Sequence, residues 1–296
     1  MEAPRIGLVA RDPEMRRALA AAFDGAPPEW ELTLHPEPPS DADVVVEADG
    51  DTAGAIAFDP DRPSAALAEV AARLSVETVG ALYAVTGASG GVGATTVALH
   101  LAAAMSRGPR ACYVDLDPRA GTAARVGLLD DDHKTWADAG TTEQELRLAA
   151  LPVPGGMRVL LAPHGAPEPP DDLLRRAAGC FDRIVADVPL ESLEKVAAQA
   201  RAGILVLRPS LPGAFSAARL LEAFPGLPWG IVLNRTGPGG GLTRGEAARR
   251  LGRPIPLELP CTPSVRDAED EFRLITGPWT RFARRIDALA SALLRA

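Results

Sequence analysis

A glycine-rich segment between an apolar strand and a helix is the feature that most constrains the fold of this chain. The segment covers residues 86–96 and reads TGASGGVGATT; it follows the apolar run at 82–85 and opens a predicted helix at 95–107. Glycines let successive backbone N–H groups point at phosphate oxygens, and a helix N-terminus adds partial positive charge. This strand–loop–helix context predicts a phosphate-binding loop.

Short apolar runs continue after this loop and alternate with helical patterns. Further strands are predicted at 111–114, 158–161, 184–186, 203–207 and 230–233. Strands that alternate with helices form a mostly parallel sheet with helices on both faces. We therefore expect residues 80–296 to form a doubly wound α/β nucleotide-binding domain.

Residues 1–79 are predicted to form a separate, small α/β domain. Apolar patterns predict strands at 5–10, 30–34, 44–46 and 55–58, and helices at 15–23 and 63–74. The β-α-β order resembles a shortened response-regulator receiver domain. A working receiver needs an acidic cluster and a lysine; here Asp12 and Asp49 are the plausible acids at strand ends, and the segment has no lysine. A degenerate interaction domain is expected, with an unrelated α/β cap as the alternative.

Charge and cysteine content exclude several classes of function. Residues 1–79 carry a net charge of −10 and the remainder +2, whereas non-specific DNA binding requires many basic residues, so no nucleic-acid partner is expected. Cys112, Cys180 and Cys261 form no CxxC pair, which fits a reducing cytoplasm without a metal or disulfide framework. Neither a signal peptide nor an apolar run of the ~20 residues that span a bilayer is recognised.

The glycine-rich segment resembles the deviant Walker A loop, KGGxGK[ST], of the MinD/ParA family. Gly90, Gly91, Gly93 and Thr95 match this pattern, whereas Ser89 replaces the signature lysine and Ala94 replaces the P-loop lysine. The resemblance implies that ATP phosphates are held by Ser89, Gly90, Gly91, Val92, Gly93, Ala94, Thr95 and Thr96. It also implies that the Thr95 hydroxyl coordinates Mg²⁺.

Two acidic strand ends follow in the order that this family shows. The segment YVDLDP at 113–118 resembles its DxD motif, which implies that Asp115 lies near the magnesium shell and that Asp117 is the catalytic residue beside the attacking water. The segment FDRIVADVP at 181–189 resembles its Walker B strand, which implies a magnesium-linked role for Asp187. A strand-end aspartate can also cap a helix. Two such motifs in register with the loop favour the functional interpretation.

Two later segments resemble the adenine-binding side of the family. The strand IVLNR at 231–235 implies that Asn234 hydrogen-bonds the base. The segment LPCTPSV at 259–265 resembles the loop that closes over the base.

Within the superfamily the chain resembles the CpaE/TadZ group of pilus-assembly and secretion proteins. The segments GMRVLLAP at 156–163 and VLNRTGPGGGLTRGEAARRLGRP at 232–254 carry this resemblance, together with Ala94 and the receiver-like N-terminal domain. It implies a positioning or scaffold protein that forms an ATP-bound homodimer for pilus, secretion or septum-site machinery. A cytoplasmic location is expected, with a peripheral position at the inner face of the membrane or at the cell pole as an alternative.

The loss of both lysines bears on hydrolysis. A P-loop lysine places positive charge on the β- and γ-phosphates, and the signature lysine of the family reaches the nucleotide of the partner subunit. Without them, we expect ATP to bind while hydrolysis is weak or absent. Arginines of the partner subunit could replace the lysines, and Arg119 and Arg125 are candidates because they follow the DxD strand. An active, slow MinD/ParA-type ATPase that cycles on membrane or DNA is the alternative.

The C-terminal segment predicts an amphipathic helix. Its apolar positions, at spacings of 3, 4, 3 and 4, are Trp279, Phe282, Ile286, Leu289 and Leu293. We expect this face to pack on the sheet; membrane binding is the alternative.

Overall fold

The computed structural model divides the chain into two compact units, Met1–Thr78 and Val79–Ala296. The residues that it describes are 5–24, 26, 30–39, 42–48, 50, 52, 54–74, 80–107, 110–119, 121–129, 133–153, 156–165, 168–237 and 241–295. Asp49, one of the two acids considered for a receiver site, lies outside these residues.

The smaller unit is a parallel sheet with two helices among its described residues. Its elements are β1 (Arg5–Val9), α1 (Pro13–Ala22), β2 (Glu31–His35), β3 (Val44–Glu47), β4 (Ile56–Ala57) and α2 (Pro63–Leu74). The strand order is β2-β1-β3-β4, with parallel pairing throughout. These are the first four positions of the flavodoxin-like order 2-1-3-4-5, which supports the expected small α/β unit. The carboxylate of Asp12 caps α1, where it accepts a hydrogen bond of 3.1 Å from the Met15 N–H.

The larger unit is a single eight-stranded sheet between two layers of helices. Its strands are β5 (Ala81–Gly87), β6 (Ala111–Asp115), β7 (Leu151–Pro152), β8 (Arg158–Leu160), β9 (Arg183–Asp187), β10 (Ala202–Leu207), β11 (Trp229–Thr236) and β12 (Leu257–Pro260). Its α-helices are α3 (Ala94–Met105), α4 (Thr122–Arg125), α5 (Glu143–Ala149), α6 (Leu173–Cys180), α7 (Leu193–Ala197), α8 (Leu211–Ala223), α9 (Arg244–Leu251), α10 (Pro263–Asp270) and α11 (Arg281–Arg295).

The sheet has the order β12-β11-β10-β5-β9-β6-β8-β7, and every pair is parallel except β7 with β8. Side chains alternate between the two faces of each strand. On β5, Tyr83 and Val85 pack in the cluster that includes α3, whereas Leu82 and Ala84 pack in the cluster that includes α6. Both faces of the central strands are therefore buried, and the predicted mostly parallel, doubly wound fold is confirmed.

The segment that was expected to be a loop at 259–265 is more ordered than predicted. Leu257 and Leu259 are buried and belong to β12, an edge strand that tolerates Pro260 because one side of it needs no partner. Pro263 is then the first residue of α10. At this position the backbone N–H has no partner within the helix, so proline sacrifices no hydrogen bond. The strand was missed because Pro256, just before it, and Pro260, at its end, resemble turn residues.

The apolar face of α11 packs against the core, as expected. Phe282, Ile286 and Leu289 are buried in the cluster that contains α3, and Leu293 packs against it in part. The prediction was wrong for Trp279, which is 88% exposed. The helix begins at Arg281, so the helical spacing does not extend to Trp279. Among the described residues, no helix is long and apolar enough to cross a membrane.

We predict that Ile286→Ala lowers the free energy of unfolding by about 2–4 kcal/mol, because it leaves a cavity between α11 and the sheet. Trp279→Ala is the matched control and should change it by no more than about 0.5 kcal/mol, because the indole is exposed. Urea unfolding followed by circular dichroism measures both. Equal losses in the two variants would contradict the assignment of the packed face.

Candidate nucleotide-binding site

The glycine-rich loop joins β5 to α3 and has the backbone conformation that its glycines allow. Gly91 and Gly93 have φ angles of +69° and +92°, a region that other residues rarely adopt. Gly93 is also the N-cap of α3. A Cβ atom at Gly93 would lie 2.5 Å from the Asn234 Nδ2 atom, so a larger residue would collide with a buried side chain. Glycine is needed here both for conformation and for space.

Asn234, at the end of β11, is bonded to the loop. Its Nδ2 donates a 2.7 Å hydrogen bond to the Val92 carbonyl, and its Oδ1 accepts one of 2.9 Å from the Arg235 N–H. The side chain is 5% exposed. Asn234 therefore ties the base-side strand to the loop, and its contact with an adenine base remains a prediction.

Two adjoining clefts open at this end of the sheet. The phosphate cleft, of about 540 Å³, is lined by all eight predicted loop residues from Ser89 to Thr96, together with Asp117 and Asp187. The base cleft, of about 350 Å³, is lined by Asn234 and by residues of the β12–α10 segment. Gly93, Thr96, Arg235 and Glu269 line both clefts. Their continuity and size suit a ligand that has a phosphate end and a ring end.

Asp115 and Asp187 form a buried acidic pair beneath the loop. They end the neighbouring strands β6 and β9, where they stand opposite each other in register, and are only 3% and 4% exposed. Burial, and for Asp115 the charge of Asp187, raises the pKa of Asp115 to about 7 and that of Asp187 to about 6. Hydrogen bonds from Thr122 to Asp115 and from Thr95 and Tyr113 to Asp187 partly oppose this rise in pKa.

The donor set at the loop fits Mg²⁺. A hard cation with oxygen ligands would relieve the repulsion between the two carboxylates, and the Thr95 hydroxyl lies against Asp187. The Thr86 hydroxyl, which lines the cleft, is buried without a hydrogen-bond partner in the described part of the chain. That part of the chain contains no group of three or more His, Cys, Asp or Glu residues that could bind a metal ion through side chains alone. Mg²⁺ commonly combines few protein ligands with water and substrate phosphates, so this scarcity is compatible with it.

Asp117 is placed in the phosphate cleft but is not free. Its Oδ1 accepts 3.0 Å hydrogen bonds from the backbone N–H and the Nε of Arg119. Arg119 also reaches Glu191 at 3.4 Å. The structure thus brings the predicted catalytic carboxylate to the cleft in an ion pair with one of the two predicted replacement arginines.

The second replacement candidate, Arg125, is also paired. It donates a 2.6 Å hydrogen bond to the Glu269 carboxylate, and the Thr96 hydroxyl donates another of 2.6 Å to the same oxygen. Glu269 was missed by the sequence analysis because it belongs to no recognised motif. Only its position, shortly after the segment that resembles the base loop, hinted at the site.

No cation of the loop itself lies in the phosphate cleft. Ser89 and Ala94 occupy the two lysine positions, and the nearby Arg208 donates through Nη2 to the Gly91 carbonyl at 2.8 Å. The loop therefore offers backbone N–H groups and hydroxyls without a side-chain charge.

Comparison with known proteins identifies this arrangement. Residues 83–275 match the family model described as the CobQ/CobB/MinD/ParA nucleotide-binding domain. The chain belongs to this family. A search of curated protein sequences found no match.

Solved structures of MinD and ParA proteins share the fold of this family member. A ParA family ATPase from Chlorobium tepidum is 17% identical at a TM-score of 0.63, covering 72% of this chain and 98% of its own. MinD in the MinC:MinD complex of Aquifex aeolicus is 18% identical at 0.63, covering 73% and 97%. MinD from Pyrococcus horikoshii, solved with Mg-ADP, is 22% identical at 0.60, covering 72% and 95%. At these identities the likeness shows the shared fold.

The buried acidic pair predicts an unusual dependence of stability on pH. A raised carboxyl pKa means that the folded chain binds more protons than the unfolded chain between pH 4 and 7, so the free energy of unfolding falls as pH rises through this range. Asp115→Asn cannot ionise. In the absence of Mg²⁺ and nucleotide, it should be more stable than wild type at pH 8, with a gap that closes towards pH 4; each pKa unit corresponds to about 1.4 kcal/mol.

Asp138→Asn provides a control of opposite sign. Hydrogen bonds from the Thr135 backbone and hydroxyl lower the Asp138 pKa, so its contribution to stability is complete above pH 4 and is lost only at lower pH. This variant should be less stable than wild type, by an amount that is constant from pH 5 to 8. Thermal unfolding across this range measures both. An Asp115→Asn variant that is destabilised at pH 8 would refute the account.

Proposed function

We propose that this protein binds Mg-ATP across the two clefts, hydrolyses it weakly or not at all, and acts as a dimeric, cytoplasmic scaffold of the CpaE/TadZ type. Its role would be to position pilus, secretion or septum-site machinery, at the membrane face or cell pole. One observation carries the proposal: the cleft combines the glycine-rich loop at a helix N-terminus with Thr95 and Asp187, while Ser89 and Ala94 stand at both lysine positions.

Nucleotide binding is supported by the loop and by the family. Backbone N–H groups at a helix N-terminus bind phosphate without any lysine. The solved MinD from P. horikoshii holds Mg-ADP on the same fold. The Thr95 hydroxyl and Asp187 would hold the cation from the protein side, with Asp115 behind them, and Mg²⁺ would neutralise part of the phosphate charge.

Weak hydrolysis is supported by the charges that remain. Transfer of a phosphoryl group requires positive charge beside the γ-phosphate as its bond breaks. Arg119 and Arg125 are held by carboxylates, at 3.0 Å from Asp117 and 2.6 Å from Glu269. The ion pair with Arg119 also occupies an oxygen of Asp117 that would otherwise orient water. ATP would then act as a ligand that stabilises one state of the protein.

Dimerisation through the nucleotide face is supported by an apolar patch, which we define as Leu190, Leu211 and Phe215. These residues are 45%, 54% and 66% exposed. Leu190 follows β9, and Leu211 and Phe215 lie one turn apart at the start of α8, which follows β10. Both strands flank β5, so the patch and the loop leave the same edge of the sheet. A second copy, related by a two-fold axis, would cover it.

The N-terminal residues 1–79 would serve as the docking domain of the scaffold. Their net charge of −10 favours a partner with a basic surface, and the absence of lysine argues against a phosphorelay. A MinD–protein partnership on this fold is represented by the A. aeolicus MinC:MinD complex.

We predict that wild type hydrolyses ATP near the limit of detection and that Ala94→Lys both tightens ATP binding and raises turnover. Cationic groups contribute about 10³–10⁵-fold at related phosphoryl-transfer sites. Ser89→Lys with Ala94→Lys should raise the rate further, because the two charges would act on opposite sides of the dimer. Calorimetry and phosphate release measure binding and turnover, and circular dichroism checks that the lysines fit the loop.

The rival function is an active ATPase, and the same assay distinguishes it. Wild-type turnover at a rate typical of the lysine-bearing members of the family, abolished by Asp117→Ala, would overturn the scaffold proposal and show that an arginine has replaced the lysines. An absence of ATP and ADP binding at millimolar concentration would overturn nucleotide binding altogether.

We predict that Phe215→Asp prevents ATP-dependent dimerisation, because it places a charge at the most exposed residue of the apolar patch. Leu148→Asp is the matched control, since Leu148 is similarly exposed, at 61%, but lies on α5, which leads into β7, the outermost strand of the sheet and four positions from β5. Sedimentation with and without Mg-ATP measures association. A wild type that stays monomeric with bound ATP, or a Phe215→Asp variant that still dimerises, would refute this interface.

A further inference from the structure

We infer that Arg235, at the end of the base-side strand, supplies the positive charge to the nucleotide phosphates that the loop itself lacks. This inference rests on the proposed binding of Mg-ATP. Arg235 belongs neither to the phosphate loop nor to the segment after β6 that contains Arg119 and Arg125.

The backbone at Arg235 is irregular in a way that redirects its side chain. Its φ angle is +60°, and Phe272 is the only other described non-glycine residue with a positive φ. The pairing of β11 with β12 shifts at the same point: Asn234 opposes Leu259 and Thr236 opposes Pro260, so Arg235 is the extra residue of a bulge. Bulges turn a side chain away from its regular direction, and a left-handed arginine persists only where its surroundings hold it.

The surroundings that hold Arg235 are those of the phosphate loop. The buried Asn234 side chain accepts a hydrogen bond from the Arg235 N–H at 2.9 Å and donates one to the Val92 carbonyl at 2.7 Å. One amide group therefore fixes the Arg235 backbone relative to the loop. The result is an arginine that lines both the phosphate cleft and the base cleft.

Arg235 also differs from the other cations of the phosphate cleft in its charge balance. Arg119, Arg125 and Arg235 line this cleft, as do the acids Asp117, Asp187, Glu191 and Glu269. Arg119 and Arg125 are paired with carboxylates. Within the described part of the chain, Arg235 makes no ion pair.

A cleft lined by more acids than bases attracts phosphate poorly unless one cation is uncompensated. The guanidinium group is planar and always charged, and it matches phosphate oxygens with two parallel hydrogen bonds. Because Arg235 lies where the two clefts join, its charge would reach phosphates from the base side, whereas a loop lysine reaches them from beneath. For binding, Arg235 thus compensates for the lysine charge that is absent at positions 89 and 94, and it does so from a different direction.

The test compares Arg235→Ala, Arg235→Gly and Arg235→Lys with wild type, using calorimetry with Mg-ATP, tripolyphosphate and adenosine. Removing the charge should weaken Mg-ATP and tripolyphosphate at least tenfold and leave adenosine unchanged; lysine should restore most of the affinity. Glycine suits a positive φ, so Arg235→Gly should unfold at a temperature equal to or above that of wild type while binding ATP as weakly as Arg235→Ala. Arg249→Ala, an exposed arginine of α9, is the control and should change nothing.

Two further results separate the possible failures. Adding Ala94→Lys to Arg235→Ala should recover ATP affinity, because the charge returns through the loop. Unchanged ATP affinity in Arg235→Ala, or an equal loss for adenosine, would overturn the role of Arg235 while nucleotide binding stands. A wild type that binds neither Mg-ATP nor tripolyphosphate would overturn the proposed function together with this inference.

Discussion

The parallel pairing of β6, β9 and β5 is the constraint on which the site depends. Parallel strands end at the same edge, so Asp115 and Asp187 stand opposite each other directly beside the loop that leaves β5. The interior then separates these carboxylates from water, and their pKa values rise. A cation that prefers oxygen ligands would offset the repulsion between two such carboxylates. The register of the sheet thus places two carboxylates with raised pKa values beside the loop, independently of any ligand.

Local signals in the sequence were enough to predict the fold class, because apolar runs and turn residues alternate with the periods of strands and helices. They also predicted which loop residues would line one cleft with Asp117 and Asp187. They could not predict the bulge at Arg235, which depends on pairing with β12, or the contact of Glu269 with Thr96, which spans 173 positions. The exposure of Trp279 was missed because periodicity does not show where a helix begins.

The arrangement separates two tasks that a P-loop lysine usually combines. Recognition of a phosphate chain needs hydrogen-bond donors and modest positive charge, which the backbone N–H groups of the loop and Arg235 would supply here. Hydrolysis needs positive charge at the position where negative charge develops in the transition state. With Ala94 in the loop, the first task remains feasible while the second loses its main contributor. Such a site would suit a protein that binds its nucleotide without hydrolysing it rapidly.

The buried acidic pair also has a consequence for the lifetime of the protein in a cell. At neutral pH the buried carboxyl groups of Asp115 and Asp187, with their raised pKa values, destabilise the ligand-free folded chain, and a bound cation would offset this. Proteases act mainly on opened or unfolded chains, so the abundance of the protein would follow the fraction of copies that hold a ligand. Copies that fail to acquire Mg-nucleotide would be degraded sooner than those that hold it. The acidic pair would thereby make the amount of folded protein depend on the supply of its proposed ligand, Mg-nucleotide.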